Sequence, residues 1–171
     1  MLSEKMEKAL NEQVAFEIYS GYIYMAMSAW ASEEGLDGAA NWFRLQNGEE
    51  LYHADKMYKY IIERGGRAKL MKIDEPPFEW KSVLAAFEHA LEHERIVTGR
   101  INDLMYLAMQ EKDFASTSFL QWYVDEQVEE ESSVGEVINK LKLVDGKGHG
   151  MLMIDRDLAS RTFVWPSNTK E

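Results

Sequence analysis

Glu49-Glu50-Leu51-Tyr52-His53 sets two metal-competent side chains, Glu50 and His53, three residues apart in the middle of a helical pattern. The inward face through this stretch reads Phe43, Asn47, Glu50, Ala54, Met57 and Ile61, the 3-4 spacing of one side of a helix. Glu50 therefore interrupts a face that should be apolar. The segment runs from about Asp37 to Arg64 and stops at Gly65-Gly66, a C-terminal stop signal.

Three further segments carry the same periodicity. The first spans roughly Ser3 to Ser32, with Ser3 as N-cap and Leu10, Val14, Glu17, Gly21, Tyr24 and Ser28 facing inward. Another, from about Lys81 to Glu111, presents Phe87, Leu91, Glu94, Thr98, Ile101 and Met105. The last opens at Asp113, a good N-cap, and runs to about Leu143 through Leu120, Tyr123, Gln127, Glu130, Val134, Val137 and Leu141. Few residues separate the first segment from the second, or the third from the fourth, so each pair forms an antiparallel hairpin. Between the hairpins, Arg67 to Trp80 is stiffened by Pro76-Pro77 and is long enough to run the whole length of a bundle. The fold class expected is all-α: a four-helix bundle over about 3–143 with a long crossover between helices two and three. After the turn at 145–150, Met151 to Arg161 reads as a short fifth helix packing at one end of the bundle or against another subunit. The tail past Trp165 reads as irregular, and 1–171 as a single domain.

Composition narrows the chemistry. The 171 residues contain no cysteine, which excludes thiolate metal sites, disulfides and cysteine nucleophiles. Thirty acidic residues face 19 Lys plus Arg, a net charge of −11 that opposes nucleic-acid binding and suits cations. Charges at Glu4, Lys5 and Glu7 stand where a signal peptide needs an apolar run, and no stretch suits a bilayer. The expectation is a soluble, cytoplasmic protein with no membrane partner.

Each helical face is broken once by a carboxylate near its midpoint: Glu17, Glu50, Glu94 and Glu130. Midpoints share one height in a bundle whichever way the helices run, so the four side chains can meet in one layer. Four unpaired carboxylates in a core are prohibitively costly, and no Lys or Arg lies on these faces to compensate them. Two divalent ions supply the missing charge. His53 lies about 60° round the helix from Glu50, and Gln127 has the same offset from Glu130, so both reach the same cavity. Hard oxygens with one imidazole suit iron or manganese. A lone mid-helix glutamate is ordinarily a surface residue; four at one level are not. His89 and His93 have ligand spacing but lie off the Glu94 face, and are read as surface histidines. Trp122 is read as packing.

Single Glu17 and Glu94, Glu50-x-x-His53 and Gln127-x-x-Glu130 resemble the carboxylate bundles of the ferritin-like fold. Gln127 in place of a second Glu-x-x-His, with Asn11-Glu12-Gln13, Phe119-Leu120-Gln121-Trp122-Tyr123-Val124, Glu126-Gln127-Val128-Glu129-Glu130-Glu131 and Ile154-Asp155-Arg156-Asp157-Leu158, is similar to the non-haem ferritins of bacteria and archaea. The resemblance covers nearly the whole chain. It implies a ferroxidase and iron store that oxidises Fe(II) with dioxygen and deposits ferric oxyhydroxide inside a hollow homo-oligomeric shell of twenty-four subunits. Glu17, Glu50 and His53 match the family's first iron site; Glu50, Glu94 and Glu130 match the second, with Gln127 alongside. Glu49, Glu126 and Glu129, with Glu130, match a third, outer iron site, and Tyr24 matches a redox-active tyrosine.

Other bundles of this kind remain as alternatives. A haem-bearing bacterioferritin carries its haem-ligating methionine where this chain has Leu51, and histidine where it has Glu130, so no haem is expected. DNA-binding mini-ferritins lack the fifth helix. A di-iron oxygenase or peroxidase keeps two Glu-x-x-His motifs, and a purely structural bundle takes up no metal.

Overall fold

The computed structural model describes residues 1–144 and 148–165. Five helices follow in order: α1 (Glu4–Glu33), α2 (Asp37–Glu63), α3 (Val83–Gln110), α4 (Phe114–Leu143) and α5 (Gly148–Ala159). Among the described residues there is no strand, and no helix is long and apolar enough to cross a membrane. The α1 helix, at 30 residues, is ~45 Å long.

Local chemistry explains most boundaries. Ser3 Oγ accepts the Met6 amide at 3.0 Å, Ser82 Oγ that of Ala85 at 3.1 Å, and Asp113 Oδ1 that of Ser116 at 3.1 Å. Each capping oxygen satisfies an amide that the first helical turn leaves without a partner. Gly35 and Gly65 close α1 and α2 with φ of 73° and 74°, a region open to glycine at no steric cost. The start of α2 is different. Leu36 offers no side-chain cap; the Asp155 carboxylate arrives from α5 and accepts the Gly38 and Ala39 amides at 3.0 and 2.9 Å. A Cβ on Gly38 would lie 1.6 Å from the Asp155 carbonyl oxygen, so this joint requires glycine.

Contacts fix the directions of the helices. Ser3 of the α1 cap meets Glu111 beyond α3, Ser20 meets His93, and Trp30 meets Trp80 just before α3, so α1 and α3 are antiparallel. Gln46 meets Glu130 and Tyr60 meets Ser116, which makes α2 and α4 antiparallel as well. The crossover runs the full length of the bundle, as expected. Asn11 grips its start through the Arg67 carbonyl at 3.0 Å and the Lys69 amide at 2.6 Å. Its end stacks Trp80 edge-on to Trp30, with Trp80 Nε1 donating to His89 Nδ1 at 3.0 Å.

Two apolar clusters fill the bundle. One, around Met27, Phe43, Phe87 and Leu141, includes Met151, Ile154 and Leu158 of α5. The other is built around Leu10, Met57, Ile61, Ile101 and Leu120. Between them lies a polar layer at mid-height. The fifth helix packs mainly on α2, at the end where α1 turns back. It begins at Gly148 rather than Met151 and ends at Ala159, leaving Arg161 outside it. Of the turn expected at 145–150, residues 145–147 lie outside the described residues, as does the tail past Trp165.

Candidate metal centre

The mid-height layer contains Glu17, Glu50, His53, Glu94, Gln127 and Glu130, none more than 6% exposed. Water therefore cannot offset their charge. Ligand atoms of Glu17, Glu50 and His53 all lie within 4.8 Å of one another, and so do those of His53, Glu126 and Glu130. His53 belongs to both groups, with Nδ1 3.7 Å from Glu50 Oε2. The Tyr123 hydroxyl donates to the His53 carbonyl at 2.8 Å and braces that turn of α2. Glu94 stands in neither group. The Tyr24 hydroxyl donates to one of its oxygens, and Gln127 Nε2 lies 3.2 Å from the other. Gln127 thus turns its donor end inward, onto Glu94, also reaching the Glu94 carbonyl and Thr98 Oγ1.

Burial is the first cause that drives the Glu50 and Glu130 carboxyls well above the ordinary carboxylate range. Glu94 and Glu17 add repulsion at Glu50, and Glu94 and Glu50 at Glu130. Burial also raises Glu94, against the pull of its bonds from Tyr24 and Gln127. Tyr24, fully buried among carboxylates, has its hydroxyl pushed far up and stays a proton donor. Two oxygens, Glu17 Oε2 and Glu50 Oε1, are buried with no hydrogen-bond partner among the described residues. Buried polar atoms are nearly always satisfied, and a carboxylate oxygen without a donor is the donor that a cation takes. The residues fit divalent metal with oxygen preference.

A ferritin-like domain model matches residues 7–144. The chain belongs to the ferritin-like family. A bacterial non-heme ferritin of Bacteroides fragilis is 42% identical over 161 residues, covering 94% of this chain and all of the relative. A probable bacterial non-heme ferritin-like protein of Haemophilus influenzae is 39% identical over 160 residues, covering 94% and 97%. The solved structure of an open-pore ferritin from Archaeoglobus fulgidus superposes with a TM-score of 0.94 at 52% identity, over 95% of this chain and 100% of that one.

Around this ferritin-like core, the expected outer acids divide. Glu126 joins the His53 group, half-buried, and burial raises its carboxyl. Glu49 is paired with Arg161 at 2.5 Å, burial raising its carboxyl and the guanidinium opposing that rise. Glu129 is exposed and lies in neither group. His93 corrects the sequence reading. It is 5% exposed, 2.8 Å from Ser20 Oγ and stacked on Phe16, because α3 packs against α1 as well as α4 and buries a wider face. His89 is half-buried against Trp80. Trp122 packs on His53 with ring centroids 5.4 Å apart. Gln13, Gln46, Arg100 and Arg161 touch the layer or its neighbours without having been singled out as site residues. Gln13 lies four residues before Glu17 and Gln46 four before Glu50, a spacing that could have drawn notice.

Proposed function

We propose that this protein takes up Fe(II), oxidises it with dioxygen in the mid-bundle layer, and stores the ferric product inside a closed assembly of copies of this chain. The observation that carries the reading is the layer of four buried glutamates around His53 with two donorless oxygens, Glu17 Oε2 and Glu50 Oε1. Its relatives that are named non-heme ferritins support the same reading.

In this proposal Fe(II) is substrate. Glu17, Glu50 and His53 hold one ion, and Glu50, Glu94 and Glu130 hold the other, with Glu50 shared between them. Protons held on Glu50 and Glu130 leave as the cations arrive, since ionisation that burial disfavours becomes favourable beside positive charge. Each Fe(II) gives one electron to dioxygen, and the carboxylate cage holds both ions within reach of one oxygen molecule. Glu126, with Glu129 and Glu130, offers a third position on the outer side, which Glu49 joins by giving up its pair with Arg161. Tyr24 holds Glu94 and stands ready as a local hydrogen or electron donor. Two irons per chain, the twenty-four-subunit shell, the absence of haem and a cytoplasmic setting belong to the same proposal.

Aerobic addition of Fe(II), followed by absorbance and sizing, tests it. A large particle that retains many irons per chain is expected, with rapid oxidation lost in Glu50→Ala. Uptake that stops at two irons per chain would replace storage with oxygenase-type chemistry. Rapid oxidation surviving in Glu50→Ala would remove Glu50 from its bridging role.

A further inference from the structure

No Lys or Arg forms an ion pair with Glu17, Glu50, Glu94 or Glu130 among the described residues. Two arginines nevertheless reach the layer, each through a buried glutamine. Arg100 Nε donates to Gln13 Oε1 at 2.8 Å, and Gln13 Nε2 donates to Glu17 Oε1 at 2.9 Å. Arg161 Nη1 donates to Gln46 Oε1 at 2.9 Å, and Gln46 Nε2 donates to Glu130 Oε2 at 2.6 Å. The two chains end on α1 and α4, opposite corners of a bundle in which α2 and α3 flank both. We propose that Arg100 and Arg161 are positioning residues of the metal centre, acting through Gln13 and Gln46 on Glu17 and Glu130. The inference rests on the metal-centre reading above.

The chemistry follows from the two ends of an amide. A glutamine side chain has an accepting oxygen and a donating nitrogen, and either could face a neighbour. Guanidinium only donates, so once it engages the oxygen, the amide nitrogen must face the carboxylate. Gln13 and Gln46 are 1% and 0% exposed, and water cannot offer them another arrangement. The arginines are themselves held in place. Arg100 lies over the Phe16 ring at 4.2 Å and Arg161 over Trp42 at 4.5 Å, as a planar, delocalised cation can. Arg161 is tied further to the Trp42 carbonyl and to Glu49.

The intermediate amide matters because of what a direct pair would do. A guanidinium placed on Glu17 or Glu130 would engage both oxygens and cancel the charge that a metal needs. Through the amide, each arginine fixes one oxygen and leaves the other for a cation. On Glu17 that second oxygen, Oε2, has no other partner. The guanidinium also polarises the amide and so strengthens its bond to the carboxylate. Each ligand is thereby pinned without being neutralised.

Co(II), which oxygen does not turn over, tests this by visible absorption on the assembled protein. Wild type is expected to take two Co(II) per chain in the layer, and Glu50→Ala to lose them. Arg100→Gln and Arg161→Gln should each weaken Co(II) binding roughly 10- to 100-fold, the usual loss when a group orienting a ligand is removed. The visible bands should shift as the ligand geometry relaxes. Arg100→Gln/Gln13→Met should bind no more weakly than the worse single variant, since both break the same path. Arg100 is the cleaner arm, because among the described residues its hydrogen bonds go only to Gln13 and the Glu12 carbonyl. Arg64→Gln breaks the ion pair between the end of α2 and Asp113, the cap of α4, without touching either path, and should bind Co(II) as wild type does. Arginine variants that bind like wild type, losses that add in the double variant, or equal weakening in Arg64→Gln would each overturn the proposal. Wild type and Glu50→Ala binding Co(II) alike would instead overturn the centre itself, and the paths with it.

Discussion

Glu50 meets Glu17, Glu94 and His53 where solvent cannot enter, and its carboxyl holds its proton well above the ordinary value of 4.5. The folded metal-free chain therefore binds protons that the unfolded chain has already released. A carboxyl raised on folding stabilises the fold at low pH and loses that contribution as pH climbs from the unfolded value toward the folded one. Glu50 and Glu130 act in the same direction. The thermal midpoint of the metal-free protein should fall as pH rises from 4.5 toward neutrality, and fall less in Glu50→Gln. Equal slopes would mean that Glu50 ionises normally. Tyr24 allows a second prediction at this scale. Its bond pulls the Glu94 carboxyl down, so Tyr24→Phe should let that carboxyl rise. Co(II) binding measured against pH should then reach half-saturation at higher pH than in wild type. A midpoint that stays in place would leave Tyr24 as packing alone.

At the scale of elements, the caps show what is local and what is not. Ser3 and Asp113 cap α1 and α4 from the adjoining residue, and both are readable from the sequence because partner and helix are neighbours. The cap of α2 comes from Asp155, 117 residues from Gly38, and no local pattern announces it. Asp155→Ala should lower stability by about 1 kcal/mol, the usual value of a cap, and loosen α5. Calorimetry and protease sensitivity near α5 would check it. Lys112 holds φ at 57° in the turn between α3 and α4, a conformation that costs a side-chain-bearing residue about 1 kcal/mol or more. Lys112→Gly should recover much of that and raise the thermal midpoint; no gain would mean the flexibility that glycine adds to the unfolded chain cancels the relief.

For the whole molecule, the exposed apolar residues bear on how copies of the chain associate. Phe114 is 77% exposed, Val128 72%, Phe78 on the crossover 65% and Tyr106 64%. Exposed apolar side chains that adjoin in one patch mark surfaces that associate. Light scattering should find a large homo-oligomer, and Phe78→Asp should shift it toward smaller species while leaving helical content intact. An unchanged mass would remove the crossover from the interface.

Four helices, their pairing into hairpins, the crossover and the level of the glutamates all follow from sequence alone. The reason is geometric: helical periodicity reports which face a residue occupies, and a midpoint keeps its height in either direction. Glu17, Glu50, Glu94, Gln127 and Glu130 were legible because each sits on such a face, and His53 because it lies one turn from Glu50. Only the tertiary structure decided that His93 is buried, that Asp155 starts α2, and that Arg100 and Arg161 stand behind Gln13 and Gln46. Arg100 leaves from α3 and Arg161 from the segment after α5, and each meets a glutamine 87 or 115 residues away. Periodicity along one helix carries no record of a long side chain arriving from another.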